Sequence, residues 1–257
     1  DYVTAESWSN LTVNESFANY SQLLWWEHKL GKDEALFEHY NEMQGYLFSG
    51  SQNKDLVRFN YNDREDMFDA VSYNKGGRIL HMLRNYIGDD AFFTALNKYL
   101  SANKFGNGNA HKLRMAFEEV SGKDLNWYFN QWYFGSGHPK LEISYAYNEA
   151  SRTASAIVAQ TQKGDKVFKL PINIDVWNGD TKTRHMVWAE NKVDTFTFTV
   201  PSKPDNINVD ADKILLAEKK DTKTLEAYAH QYFHAGNFLD RREAVAFMYD
   251  IDNAKSE

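Results

Sequence analysis

The residues of this 257-residue chain that could do chemistry are few. There is no cysteine, which excludes disulfides and thiolate metal sites, so any zinc would have to be held by His and carboxylate. His230 and His234 stand at i and i+4, a spacing that puts two imidazoles on one helix face. Between them lies Gln231, an amide that cannot act as a general base, and no carboxylate is spaced to complete their set, so a structural or surface role is expected for the pair. His28, His39, His81 and His111 show no ligand spacing. Asn14 and Glu15 fall in WSNLTVNESFANYSQLL, and a lone Glu of this kind ordinarily lies on a solvated helix face. Tyr73 in VSYNKGG, taken alone, reads as an aromatic packed at a helix start.

The order in which these segments occur changes that reading. The stretch VTAESWSNLTVNESFANY resembles the segment that follows the zinc-binding helix in the aminopeptidase N family of zinc metallopeptidases (gluzincins), where the pattern is GD-x-V-T-x-x-x-W-x-x-L-W-L-N-E-G-F-A. The family's H-E-x-x-H helix supplies two His ligands and the Glu of N-E-G-F-A the third, so the resemblance assigns Glu15 as a zinc ligand and places Asn14 beside it. Catalytic zinc takes three protein ligands and leaves a fourth position for water, and a carboxylate is a standard third ligand. Two departures occur. Ser16 replaces the family's Gly, and Gln22 stands where an acidic residue supports a zinc-bound His, so Gln22 can orient that His while tuning its basicity less.

Val71–Gly77 is similar to the family's V-x-Y-x-K-G-A segment, whose Tyr hydrogen-bonds the oxyanion formed during peptide hydrolysis. A phenol with a pKa of about 10 is protonated at neutral pH, so the resemblance implies that Tyr73 donates to that charge. A third segment, FEEVSGKDLNWYFNQWYFGSGHP, resembles the family's link from the catalytic domain into a β-sandwich and carries architecture alone. H-E-x-x-H is absent from the chain, as is the family's upstream G-x-M-E-N loop, and Asp1 is expected to follow the second His by about five residues. The start at Asp1, with no Met and no signal-like segment, reads as that of a truncated chain.

The elements that must position these residues follow from hydrophobic period. Helical spacing runs from about Glu6 to Phe134 and is clearest over Gly76–Ile87, where Ile79, Leu80, Met82, Leu83, Tyr86 and Ile87 form one apolar stripe that Gly88 ends. Asp89 and Asp90 are expected to cap a helix over Ala91–Leu100. NKFGNGNA reads as a loop, followed by a helix from Ala110 to Val120. After Gly137 the period changes to two in Leu141–Tyr147, Leu170–Val176 and Phe196–Val200, which predicts an antiparallel sandwich. Helical spacing returns from Thr222.

The expected fold class is therefore α+β and multidomain. The resemblance implies that residues 1–136 are the helical C-terminal half of a thermolysin-like catalytic domain, 137–211 a β-sandwich, and 212–257 the start of a C-terminal helical domain. A net charge of -7 without a basic run argues against a nucleic-acid surface, and no apolar run approaches the roughly 18 residues of a membrane span. Asn10, Asn14 and Asn19 fit glycosylation sequons, but they crowd the same helix and read as chance matches.

The function implied by the resemblance is zinc-dependent removal of N-terminal residues from peptide substrates. One zinc would be held by Glu15 and two His of the remaining catalytic domain, so this segment alone is expected to be inactive. A catalytically dead relative serving as a binding scaffold, or an epoxide hydrolase of the leukotriene-processing branch, would share the same motifs.

Overall fold

The computed structural model describes the backbone of residues 2–254 and the side chains of residues 2–249; Asp1 and residues 255–257 lie outside the described residues. Contacts divide the chain into two compact units, Asp1–Gly137 and His138–Glu257.

The first unit is helical. Its elements are β1 (Thr4–Ala5), α1 (Thr12–Leu30), α2 (Lys32–Leu47), a π-helical turn over Val71–Lys75 that runs directly into α3 (Gly76–Ile87), α4 (Asp89–Ala102), β2 (Asn107–Gly108), α5 (Ala110–Ser121) and α6 (Asn126–Trp132). The apolar stripe of α3 is buried: Ile79, Leu80 and Leu83 are fully enclosed, as is Phe92 of α4. The α5 helix begins at Asn109, whose side chain accepts from Lys112 N, and ends at Gly122 in the left-handed conformation with φ 67°. The aromatic segment of α6 is core, with Tyr128, Phe129, Trp132 and Tyr133 all buried.

Two expectations change here. Asp89 does not cap α4, whose N-cap is Gly88; its carboxylate turns back to Arg84, where a charge-assisted pair is stronger than a cap bond. The segment expected as a loop contains β2, which pairs in parallel with β1 and ties the chain before α1 to the α4–α5 connection.

The second unit contains β3 (Lys140–Asn148), β4 (Thr153–Gln160), β5 (Leu170–Asn178), β6 (Thr181–Ala189), β7 (Val193–Thr199), β8 (Asn206–Val209), β9 (Glu218–Asp221), α7 (Leu225–His234) and α8 (Phe238–Ala254). Among the described residues the strands make one sheet of order β7-β4-β3-β9 and another of order β6-β5-β8. Alternate residues are buried along β3 and β4, and much of β5 is enclosed; His185 and Phe198, from the two sheets, have ring centroids 4.5 Å apart. The pairing is antiparallel except at β9, which joins β3 in parallel and lies beyond residue 211, ahead of the helices. Its sequence, EKKD, has no apolar alternation because ion pairs hold it instead. Glu218 bonds Lys140 and His138, Lys219 bonds Asp210, and Asp221 accepts from Tyr145.

Candidate active site

Glu15 lies in the first turn of α1 and Tyr73 in the π turn that feeds α3. These segments cross closely because the crossing residues are small. A Cβ on Gly76 would lie 2.6 Å from Ser16 Cβ and 2.9 Å from Thr12 Oγ1, and one on Gly77 would collide with Asn19 Oδ1. Ser16 is fully buried and donates back to Thr12 O, while Thr12 Oγ1 donates to Ser72 O at 3.1 Å across the crossing. The Ser that replaces the family's Gly is thus accommodated opposite a residue with no side chain.

The crossing brings the two sequence-derived site residues together. Burial, then the charge of the nearby Glu15 carboxylate, pushes the Tyr73 phenol up to about 12, so it is protonated at neutral pH. Both residues are half-buried. Asn14 donates from Nδ2 to Val3 O at 3.0 Å, which fixes the approach of β1 to the first turn of α1. Gln22 is exposed on α1. Two of the three sequon asparagines are engaged within the unit: Asn10 is buried and accepts from Ala110 N, and Asn14 donates to Val3 O.

One turn beyond this pair lies a buried polar network that residue spacing did not show. Tyr20 OH is 3.2 Å from His81 Nδ1, the rings of His81 and His39 meet edge to face at 5.0 Å, and Arg78 donates to His39 Nδ1 at 3.2 Å. An Arg can only donate, so His39 Nδ1 is the acceptor of a neutral imidazole. Burial, then the Arg78 charge, holds both imidazoles well below the usual histidine range. Arg84 closes the network with paired bonds to Glu27 and Asp89. The only sign of it in the sequence is polar residues inside the apolar stripe of α3, at Arg78, His81 and Arg84.

His230 and His234 stack on each other with centroids 3.9 Å apart and are engaged by the β5–β6 turn. His230 Nε2 bonds Gly179 O and His234 Nε2 bonds Asp180 Oδ1, both at 3.0 Å, and Trp177 packs beside both rings. Their contacts are those of a structural pair. Among the described residues no group of three His, Cys, Asp or Glu could hold a metal ion. Glu15 fits a single place in a zinc set, as an anionic oxygen donor; the other donors would have to come from outside these residues.

The pattern described as the Peptidase family M1 domain matches residues 1–132, the stretch that carries both Glu15 and Tyr73. The chain belongs to peptidase family M1. Among its M1 relatives, the chain is 29% identical over 180 residues to Tricorn protease-interacting factor F2 of Thermoplasma volcanium, a match covering 68% of the chain and 23% of that protein. It is 29% identical over 193 residues to aminopeptidase N of Lactococcus lactis subsp. lactis, covering 69% and 22%. With leucyl aminopeptidase of Saccharolobus solfataricus it shares 27% over 218 residues, covering 80% and 27%. The chain thus spans about a quarter of the length of these relatives. The crystal structure of Legionella pneumophila aminopeptidase A in complex with aspartic acid shares the fold, with a TM-score of 0.80 at 18% identity over 95% of this chain and 28% of that one. No helix among the described residues is long and apolar enough to cross a membrane.

Proposed function

We propose that the protein containing this chain is a zinc-dependent aminopeptidase that removes N-terminal residues from peptides. In this reading Glu15 is the carboxylate ligand, Tyr73 the donor to the oxyanion, and Asn14 and Gln22 act around the ligand set. The observation that carries it is the close crossing of α1 with the π turn, where Thr12 Oγ1 donates to Ser72 O at 3.1 Å and Gly76 packs on Ser16, so that Glu15 and Tyr73 come near each other from two segments that the family motifs single out independently. Neither residue needs the other for packing, since both are only half-buried.

Zinc, when bound, polarises the scissile carbonyl and activates water. Glu15 offers it a fixed carboxylate, held on a helix whose first turn is pinned by Asn14. Tyr73 supplies one O–H, protonated at working pH, beside that carboxylate, and such a donor stabilises charge that develops on the carbonyl oxygen. The division into residues 1–136, 137–211 and 212–257 belongs to the same proposal, with only the first segment reaching the chemistry. The named aminopeptidases among the relatives support peptide substrates, and no observation favours the scaffold or the epoxide reading.

The test is Glu15→Gln in the full-length protein, because an amide is a weaker, neutral oxygen donor. Zinc content by metal analysis and hydrolysis of an aminoacyl reporter should fall together. Full occupancy with a wild-type rate would remove Glu15 from the ligand set, and turnover of an epoxide in place of the reporter would overturn the reaction class.

A further inference from the structure

We propose that Asp69 is the positioning residue for Tyr73, acting through the backbone of the π turn. The inference rests on the reading of Tyr73 as the oxyanion donor. The turn is wound wider than an α-helix, with Lys75 N bonding Ala70 O at 2.9 Å and Tyr73 N bonding Asp69 O at 3.2 Å. Such turns are uncommon and are frequently found at functional sites. This one needs support, because its N-cap position, Ala70, has no side chain able to bond the first N–H groups.

Asp69 provides that support. Its Oδ1 accepts from Val71 N at 3.0 Å and Ser72 N at 3.1 Å, the two N–H groups immediately before Tyr73. The carboxylate is itself gripped by Arg58, which donates to Oδ2 at 2.7 Å and to Oδ1 at 3.3 Å, and by Lys54 at 2.9 Å. Burial alone would raise this carboxyl, but the bonds from Arg58, Lys54 and Ser72 N hold it below the usual carboxylate range. The Arg58 fork also reaches Met67 O at 3.1 Å and Ser72 Oγ at 3.0 Å, and its own N–H bonds Ser9 O just ahead of α1.

Every polar group of Ser72 is therefore held. Its N–H is bound by Asp69, its carbonyl by Thr12 of the helix that carries Glu15, and its hydroxyl by Arg58 and Met67 O. The peptide that sets the position of Tyr73 Cα is fixed from both sides, while the Tyr73 ring itself is left half-exposed. A donor whose O–H must lie within a few tenths of an ångström of a developing charge is best fixed in this way, through its backbone.

The test uses the full-length, zinc-loaded enzyme with an aminoacyl reporter. Asp69→Ala should lower kcat by about 100-fold with KM and zinc content little changed, the cost of misplacing one reacting group by about 1 Å. Asp69→Asn keeps an oxygen for the two N–H groups and should retain activity to within about 10-fold. In a Tyr73→Phe background the Asp69→Ala change should cost less than about 3-fold more, because residues acting as one unit are not additive. Should Asp69→Ala fail to fold, Arg58→Lys, which loses the fork, should show the same loss in kcat and the same non-additivity. Equal penalties in both backgrounds, or full kcat in Asp69→Ala while Tyr73→Phe is slow, would overturn the positioning role alone. A wild-type kcat in Tyr73→Phe would overturn the oxyanion reading and this inference with it.

Discussion

Lowering the pH from 7 to 5.5 should loosen the packing of α1 against α3, because His39 and His81 are buried there as neutral imidazoles. Both are enclosed, they face each other, and the charges packed against them are Arg78 and Arg84, with only Asp89 acting in the opposite direction. A folded-state pKa below the unfolded one means that the stabilisation is complete above the unfolded value and is lost as pH falls. The unfolded chain takes up protons through about pH 6.5 while the folded one does not. Between pH 7 and 5.5 each imidazole then shifts the balance by on the order of 1 kcal/mol, about 2–3 kcal/mol for the two, a window in which ordinary carboxylates barely titrate. Hydrogen exchange at the amides of α1 and α3, corrected for the intrinsic pH dependence, should show that loss, and NMR of the imidazole nitrogens should show both rings still neutral at pH 5.5. His81→Gln should remove about half of the pH dependence. Imidazoles that protonate near pH 6.5 with no change in α3 protection would refute the reasoning.

The close crossing of α1 and α3 predicts that Gly76→Ala destabilises by about 1–3 kcal/mol, even though Ala is the better helix former, because its Cβ would overlap Ser16 and Thr12. Urea unfolding should show the loss, and Ser16→Gly in the same chain should recover most of it. In the second unit, buried Lys213 bonds Asp240 at 2.9 Å and Glu243 at 2.6 Å, and these carboxylates raise its pKa against the effect of burial. Lys213→Met should cost about 3–5 kcal/mol by leaving that acidic pair short of a cation, and an unchanged urea midpoint would show that Lys219 and Lys223, whose charges also act on Glu243, suffice.

The fold was legible where one period dominated. The α3 stripe fixed Gly76–Ile87, Gly122 marked the end of α5, and the alternating segments became β3, β5 and β7. Legibility failed where polar contacts replace apolar burial. EKKD at β9 has no buried alternation, and β1 and β2 form a ladder of two residues each, too short to leave a pattern. Asp89 has the type and place of a cap but is claimed by Arg84. The candidate site residues were drawn from motif order rather than residue type, since Glu15 alone resembles a surface Glu and Tyr73 a packing Tyr. The buried network of Tyr20, His39, Arg78, His81 and Arg84 stayed hidden because buried polar residues, read one at a time, look like surface ones. The Asp69–Arg58 clamp was invisible for a related reason, since three of its bonds run to backbone N–H and carbonyl groups, which residue types do not reveal.

The central claim is that the phenol beside Glu15 is a catalytic donor, and kcat of Tyr73→Phe in the full-length, zinc-loaded enzyme tests it most directly. The substitution keeps the ring and removes only the hydroxyl. Loss of one oxyanion donor predicts a fall of about 100-fold or more in kcat, about 3 kcal/mol, with KM and zinc content nearly unchanged. A phenol that served packing alone would forfeit one hydrogen bond, about 1 kcal/mol of stability, and leave the rate intact. A near wild-type kcat at full zinc content would contradict the account.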